Sequence, residues 1–592
     1  MTKLRFTTLF LLSIVALAAS AYALRRVSVH DPSIVYDPSS SMYYVFGSHR
    51  ATARSRDLMS WTTLTATWGL ADNNGTLTNT NAANSVAFRK NMTQTIDVLG
   101  QQTAFGPFDV QAWASAYGNG YSIDGNLWAP DVIFNKDMQK WCLYLSINGP
   151  TWNSAIILLT ADQITGPYVY QGPVVYSGFN VNDLDAVSYT HTDMPLVIGS
   201  GTALPSRYRR GSHWGTYWPH CIDPCVFYDE EGNLLMSYGS WSGGIWVLRL
   251  NKQTGLRDYS HTYTLTGSEA NVSVDPYFGV KIAGGYYVSG EGSYISHIGS
   301  HYFLFVTNGG LEAAKGYQMR VFRSSSPEGP FHDASGVSAI YSGYAMNYGP
   351  NADRRGVNIL GAYGDWGNMA KGDNSERSQG HCSVITNDRG QSFLVYHTRF
   401  QNRGEMHQVR VHQLFLNADG WLCAAPFEYT GETVTNDDMA QTQQVADGDV
   451  PGTYKMLVHR YGLNHNDKEL ATPIEVQLMP DGTVTGDRTG RWQTTAGKSY
   501  LTLILGGTVY RGVLVNQTME PSTTSVVAFT AMANSGTSIW GYRTKAYTVP
   551  TAIAAPQSYS TDFRHYFNLR GQRVDKPGKG IYVVGGKKII VP

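Results

Sequence analysis

The chain has 592 residues, of which 42% are hydrophobic, 12% aromatic and 15% charged, with 45 basic and 45 acidic side chains in balance. Zero net charge gives no electrostatic reason to expect nucleic-acid binding, the hydrophobic content excludes a disordered chain, and the length calls for about two to four domains. A weakly charged, aromatic chain carrying 62 glycines has the make-up of an all-β protein.

The first element is a leader. "MTKLR" is basic, "FTTLFLLSIVALAAS" is apolar but short for a bilayer span, and Ala21-Tyr22-Ala23 is a small-x-small cleavage site. Residues 1–23 are therefore read as a signal peptide, and an exported protein is expected. No later run is long enough for a transmembrane helix. Five cysteines follow, Cys142, Cys221, Cys225, Cys382 and Cys423, odd in number and irregular in spacing. They make no disulfide scaffold, and Cys221 and Cys225, although spaced like a metal pair, lack a second pair and read as buried thiols.

Past the leader, one pattern returns five times. The copies are "DPSIVYDPSSSMYYVFGS" from Asp31, "DVIFNKDMQKWCLYLSI" from Asp131, "DPCVFYDEEGNLLMSYGS" from Asp223, "EGSYISHIGSHYFLFVTN" from Glu291 and "HCSVITNDRGQSFLVYHT" from His381. Each is a polar residue, a short apolar strand, a turn and an aromatic-rich second strand. A turn former stands six residues on at Asp37, Asp137, Asp229 and Asn387, with His297 the exception. Short antiparallel sheets repeated in this way predict a five-bladed β-propeller over 24–432. The opening residues of the innermost strands should then converge on one axis.

Between the copies lie segments without a readable motif. Residues 65–125 form a long Asn- and Gly-rich insertion of the kind that shapes a cleft or lid. "NDLDAVS" (182–188) has spaced carboxylates but not a full calcium-loop pattern, and reads as a solvated loop. After the propeller, 433–452 is polar and breaker-rich, a linker. Alternating strands and turn signals over 453–548 predict a small β-barrel or sandwich, expected to pack on the propeller. The tail, 549–592, ends in the basic, strand-forming "FNLRGQRVDKPGKGIYVVGGKKIIVP", which reads as a terminal hairpin or, because it resembles the C-terminal tails of some exported proteins, as a detachable secretion segment.

Four carboxylates brought together at strand starts are costly unless they have work to do. Paired carboxylates facing a sugar-sized cleft suit glycoside hydrolysis: one activates water, and a second, its pKa raised, protonates the leaving oxygen. Trp128, Trp214, Trp218 and Trp241 could stack on sugar faces or pack between blades.

"HDPSIV", "LWAPDV", "IDPCVFYD", "SGEGSYI" and "GHCSVI", in that order, resemble the blade signatures of glycoside hydrolase family 43, and within it the endo-α-1,5-L-arabinanases. The stretch 395–432 resembles the propeller end of the two-domain members, and the C-terminal β domain resembles theirs. The resemblance implies Asp31 as general base, Asp223 as pKa modulator and Glu291 as general acid, acting with inversion. It implies Trp128, Asp131, Ser240, Trp241 and Arg399 as substrate-binding residues, although Arg399 could instead pair with a carboxylate of the propeller. His381 matches a histidine associated with a central calcium. The expected substrate is arabinan and the expected state a monomer. An exo-acting arabinofuranosidase or β-xylosidase would share these residues, and a non-catalytic carbohydrate-binding propeller would not need the acid and base.

Overall fold

The computed structural model describes residues 24–64, 94–116, 118–150, 152–179, 188–209, 217–268, 271–286, 290–343, 354–369, 375–460, 470–519, 524–549 and 565–592. The leader (1–23), most of the 65–125 insertion's first half, nearly all of "NDLDAVS" and Trp214 lie outside the described residues.

Among the described residues, besides a hairpin of Gln94–Val98 and Gln101–Phe105, five antiparallel sheets of four or five strands precede a barrel. Their innermost strands are Ser33–Asp37, Leu127–Asn135, Cys225–Tyr228, Glu291–Ile298 and Glu376–Thr386. Each pairs with the next strand in sequence, and each inner strand also touches those of the sheets before and after it, the fifth meeting the first. The faces between sheets are filled by aliphatic and aromatic side chains such as Leu143, Leu158, Trp246 and Phe305, all fully buried. This near-continuous burial explains why the second strands of these sheets read as apolar runs rather than alternating ones.

A hydrogen-bonded ring joins the inner strands. Val132 N–H donates to Ser33 Oγ (3.2 Å), Val226 N–H to Asp131 Oδ2 (2.6 Å) and Ile295 N–H to Cys225 Sγ (3.3 Å). Val384 N–H faces the Tyr294 hydroxyl, and Ile34 N–H closes the ring on Ser383 Oγ (3.0 Å). Ser33, Asp131, Cys225, Tyr294 and Ser383 are thus the equivalent positions. Two residues before each stands a residue in the left-handed region: Asp31 (φ 53), Ala129 (φ 37), Asp223 (φ 58), Gly292 (φ 58) and His381 (φ 45).

This corrects the repeat in two of its copies. Asp131 is equivalent to Ser33, not Asp31, and Glu291 precedes its equivalent by one residue. The same two-residue shift appears at the turn, where Asn135, not Asp137, accepts the backbone N–H groups of Asp137 and Met138, as Asp37 accepts those of Ser39 and Ser40. A slip of two keeps a side chain on the same face of its strand, so the apolar pattern gives no warning of it.

After the fifth sheet a short helix, Asn436–Gln441, is closed by a capping box between Thr435 and Asp438. It lies within the stretch expected as a linker. Eight strands from Gly452–Val458 to Ser538–Ala546 then form a closed barrel, the first pairing with the last (Gly452 opposite Ala546), which leaves no open edge. The barrel packs on the fifth sheet: Trp540 stacks on His412 (5.6 Å between centroids, 12°) and donates its indole N–H to Ala424 O (2.9 Å). Residues 547–592 form a separate compact unit. Its described part is a four-stranded sheet containing a hairpin of Gly580–Val584 and Lys587–Val591. All five cysteines are buried and free. Among the described residues no helix is long and apolar enough to cross a membrane.

Candidate active site

The left-handed residues open onto a cleft of about 480 Å³, whose walls include Asp31, Asp223, Glu291 and His381, with Trp128 and Arg399 at its sides. Left-handed backbone at Asp31, Asp223 and His381 costs about 1–3 kcal/mol each and persists only where surrounding contacts impose it. Those contacts come from the second strands of neighbouring sheets. Asp31 N–H donates to His397 Nδ1 (3.3 Å), Asp223 N–H to Ser146 Oγ (2.9 Å) and His381 N–H to Thr307 Oγ1 (2.9 Å).

Asp31 is 8% exposed and bonded on both oxygens. Ser48 Oγ donates to Oδ2 at 2.5 Å, His30 Nδ1 stands 2.8 Å from Oδ2, and His381 Nδ1 stands 3.2 Å from Oδ1. Burial pushes this carboxyl up, but His30 and His381, then His397, outweigh it and hold it well below the usual carboxylate range. It is an ionised base.

Asp223 goes the other way. Burial is the largest cause, His381 opposes it, and the negative charges of Glu291 and Asp31 add to it, so its carboxyl is pushed up to about 7. Its Oδ2 accepts the Gly292 N–H (3.2 Å), so it sits against the strand that begins with Glu291.

Glu291 accepts from three side chains: Tyr317 Oη to Oε1 (2.6 Å), Trp241 Nε1 to Oε2 (2.5 Å) and Ser240 Oγ to Oε2 (3.3 Å). His381 lies over Gly292, where a Cβ would come within 2.9 Å of its Cγ, so only glycine leaves room for the ring. Burial depresses the His381 imidazole, but the carboxylates of Asp31, Asp223, Glu291 and Asp131 reverse this and raise its pKa.

Asp31, Asp223, Glu291, His381, Trp128 and Arg399 therefore share one cleft, with Ser240 and Trp241 attached through Glu291. Asp131 does not join them. It is 2% exposed, with Ser33 Oγ on Oδ1 (2.6 Å) and Val226 N–H on Oδ2, and it serves the ring between sheets rather than a ligand. Trp218, at 1% exposure, is a packing residue. Arg399 is already engaged: Nε donates to Leu311 O (2.7 Å), Nη1 to the Glu405 carbonyl, with that residue's carboxylate at 3.2 Å, and Nη2 to His30 Nε2 (3.2 Å).

Tyr317, Ser48 and His397 were not legible as site residues. Tyr317 directly precedes a third strand, Ser48 follows a second strand by two residues and His397 lies within the second strand of the fifth sheet, places where the repeat marks no position. The available signal was the serine and threonine at the ends of second strands: Ser48, Ser146 and Thr307 all accept from a following left-handed residue.

Comparison with known proteins bears on both parts of the chain. The model for glycosyl hydrolases family 43 matches residues 210–422, and that for a C-terminal lipocalin-like domain matches 426–541. An extracellular endo-α-(1→5)-L-arabinanase 2 of Bacillus subtilis is 32% identical over 523 residues, covering 87% of this chain and 93% of its own. An extracellular endo-α-(1→5)-L-arabinanase of Thermotoga petrophila is 33% identical over 531 residues, covering 88% and 94%. The crystal structure of an endo-1,5-α-L-arabinanase from Thermotoga petrophila superposes with a TM-score of 0.66 at 30% identity, over 88% of this chain and 99% of that one.

Proposed function

The chain belongs to glycosyl hydrolases family 43, and we propose that it hydrolyses internal α-1,5-L-arabinofuranosidic bonds of arabinan with inversion of configuration. The observation that carries this reading is the opposed tuning of two carboxyls in one cleft: Asp31 held ionised, Asp223 pushed up to about 7 beside Glu291. Such a divergence separates a base from a proton-holding pair. Asp31 takes a proton from water, whose oxygen bonds to the anomeric carbon. Glu291 gives a proton to the departing glycosidic oxygen, and Asp223 keeps that proton available. Trp128 supplies an apolar wall for a sugar face.

We read the ring of five sheets as a five-bladed β-propeller forming a catalytic domain over 24–432, followed by the barrel as a C-terminal domain. The barrel's aromatic contacts with the fifth sheet support a packing role. The leader and the extracellular relatives support export. Calcium is tested against the site's donors. Four carboxylates act on His381, an excess of negative charge that suits a cation. The oxygens of Asp31 and Asp131 are already taken by protein groups, so no carboxylate cage stands ready. The donor set suits a hydrated calcium touched by His381 alone. Bound there, it would supply positive charge beside the carboxylates.

Incubation with linear arabinan tests the proposal, with product length followed by chromatography and the first-formed anomer by NMR. Short oligosaccharides of inverted configuration are expected. Activity on aryl arabinofuranoside alone would replace endo action by exo action, and retained configuration would end the inverting mechanism.

A further inference from the structure

We propose that Arg399 and His30 form a relay that positions Asp31 and selects its Oδ1 as the basic atom, which makes Arg399 a positioning residue rather than a sugar contact. The inference rests on the reading of Asp31 as the base.

The chain of contacts starts from a group that can only donate. A guanidinium has no acceptor, so the 3.2 Å contact of Arg399 Nη2 with His30 Nε2 makes Nε2 the acceptor. The proton of a neutral His30 then resides on Nδ1, which stands 2.8 Å from Asp31 Oδ2. The Asp31 carboxylate, which can only accept, calls for the same proton on Nδ1, so the two partners of His30 hold it in one tautomer from opposite sides. The guanidinium itself has little freedom, being tied to Leu311 O and to Glu405.

The His30 ring is held flat. It stacks on His397 at 4.0 Å and 29°, His397 stacks on Tyr317 at 5.8 Å and 28°, and His407 meets His30 edge-on at 5.1 Å. His397 accepts the Asp31 backbone N–H, and Tyr317 donates to Glu291. One column of rings therefore runs from the base to the acid. Oδ2 of Asp31 is filled by His30 and Ser48 Oγ. Oδ1 meets His381 Nδ1 at 3.2 Å and keeps its second lone pair, which takes the proton as a water O–H bond breaks. That water's oxygen bonds to the anomeric carbon, and the glycosidic oxygen leaves with the proton given by Glu291.

The test is a double-mutant cycle on the full chain with linear arabinan. His30→Ala and Arg399→Met are each expected to lower kcat by about a hundredfold, the scale of a misplaced catalytic group, with KM little changed. His30→Asn, whose amide N–H can donate in place of Nδ1 but whose oxygen does not reach the Nε2 position, is expected to recover part of the loss. The double variant should be no worse than the worse single. A rise in KM at constant kcat for Arg399→Met, or losses that multiply in the double variant, would overturn the relay. A second readout needs no destabilising variant: ¹⁵N-histidine spectra of the unmodified protein should show His30 protonated at Nδ1 and bare at Nε2, the His30→Asn spectrum giving the assignment. The opposite tautomer would overturn the proposal. An unmodified enzyme inactive on every arabinoside would remove the functional reading instead, and the spectra would still decide the relay.

Discussion

Tyr317 donates its hydroxyl to Oε1 of Glu291 at 2.6 Å, so the residue that leads into the third strand of the fourth sheet orients a carboxylate that opens the first. A hydrogen bond to a charged group contributes about 1.5–3 kcal/mol. Tyr317→Phe should therefore lower kcat/KM on arabinan by roughly ten- to a hundredfold, with the melting temperature almost unchanged. Steady-state kinetics beside calorimetry checks it, and an unchanged kcat/KM would remove Tyr317 from the site.

If Glu291 protonates the leaving oxygen, its loss should matter only where the leaving group needs a proton. Glu291→Gln is expected to cut the rate on arabinan by about 10²–10⁴-fold, and much less on an arabinofuranoside with a nitrophenolate leaving group. Asp31→Asn should cut both equally, since water activation is common to the two substrates. Equal losses in Glu291→Gln would argue against its acid role.

The pH profile follows from the two shifts. Asp31 is held well below the usual carboxylate range, so the acid limb should lie below pH 4. Asp223 is raised to about 7, so it holds a proton below that pH and loses it above. Activity should fall as pH rises through about 7, and Asp223→Asn should displace that alkaline limb. A limb that stays in place in the variant would assign it to another group.

Lys281 buries a charge whose ammonium faces the Trp246 ring and makes no hydrogen bond. It is 2% exposed, its Nζ has no hydrogen-bond partner, and burial, partly offset by Asp275, lowers its pKa from 10.5 to about 8. A folded pKa below the unfolded one means that the unfolded chain binds the extra proton between pH 8 and 10.5. Stability should rise with pH across that window, and the full penalty, on the order of 3 kcal/mol, should apply below it. Lys281→Met, which gives up the ammonium's contact with the Trp246 ring (5.1 Å to the centroid) but removes the buried charge, should raise the melting temperature at pH 7 and flatten its pH dependence. A lower melting temperature would show the ammonium to be usefully paired.

Calcium, if held at His381, should bind the folded chain and raise its melting temperature by mass action, by about 2.7 kcal/mol of stability at a hundred times the dissociation constant. Titration of chelator-treated protein with calcium measures this, and His381→Ala should abolish the response. An equal response in the variant would place the ion elsewhere.

Much of this organisation was legible in the chain. Five recurring strand pairs, the aromatic second strands and the turn formers at Asp37, Asp229 and Asn387 all follow from local propensity and a two-residue side-chain period. The register of the copies was the weak point. Pro32, Pro130 and Pro224 each follow a left-handed residue, and aligning on them pairs Asp31 with Ala129 and Asp223. Aligning on carboxylates instead carried Asp131 into the cleft, although its two oxygens are spent on Ser33 and Val226.

By itself the sequence determined an all-β chain, five recurring strand pairs, a small C-terminal β domain of barrel or sandwich type and the candidates Asp31, Asp223, Glu291 and His381, because these rest on residue types and short spacings. Only the tertiary structure decided which side chains act on them. Tyr317 meets Glu291 across 26 residues, His397 meets Asp31 across 366 and Arg399 meets His30 across 369. The first lies within the fourth sheet, and the other two arise where the fifth sheet closes on the first. The tuning of a buried carboxyl depends on the charges and donors that closure brings within a few ångströms, and neighbours along the chain carry no record of them.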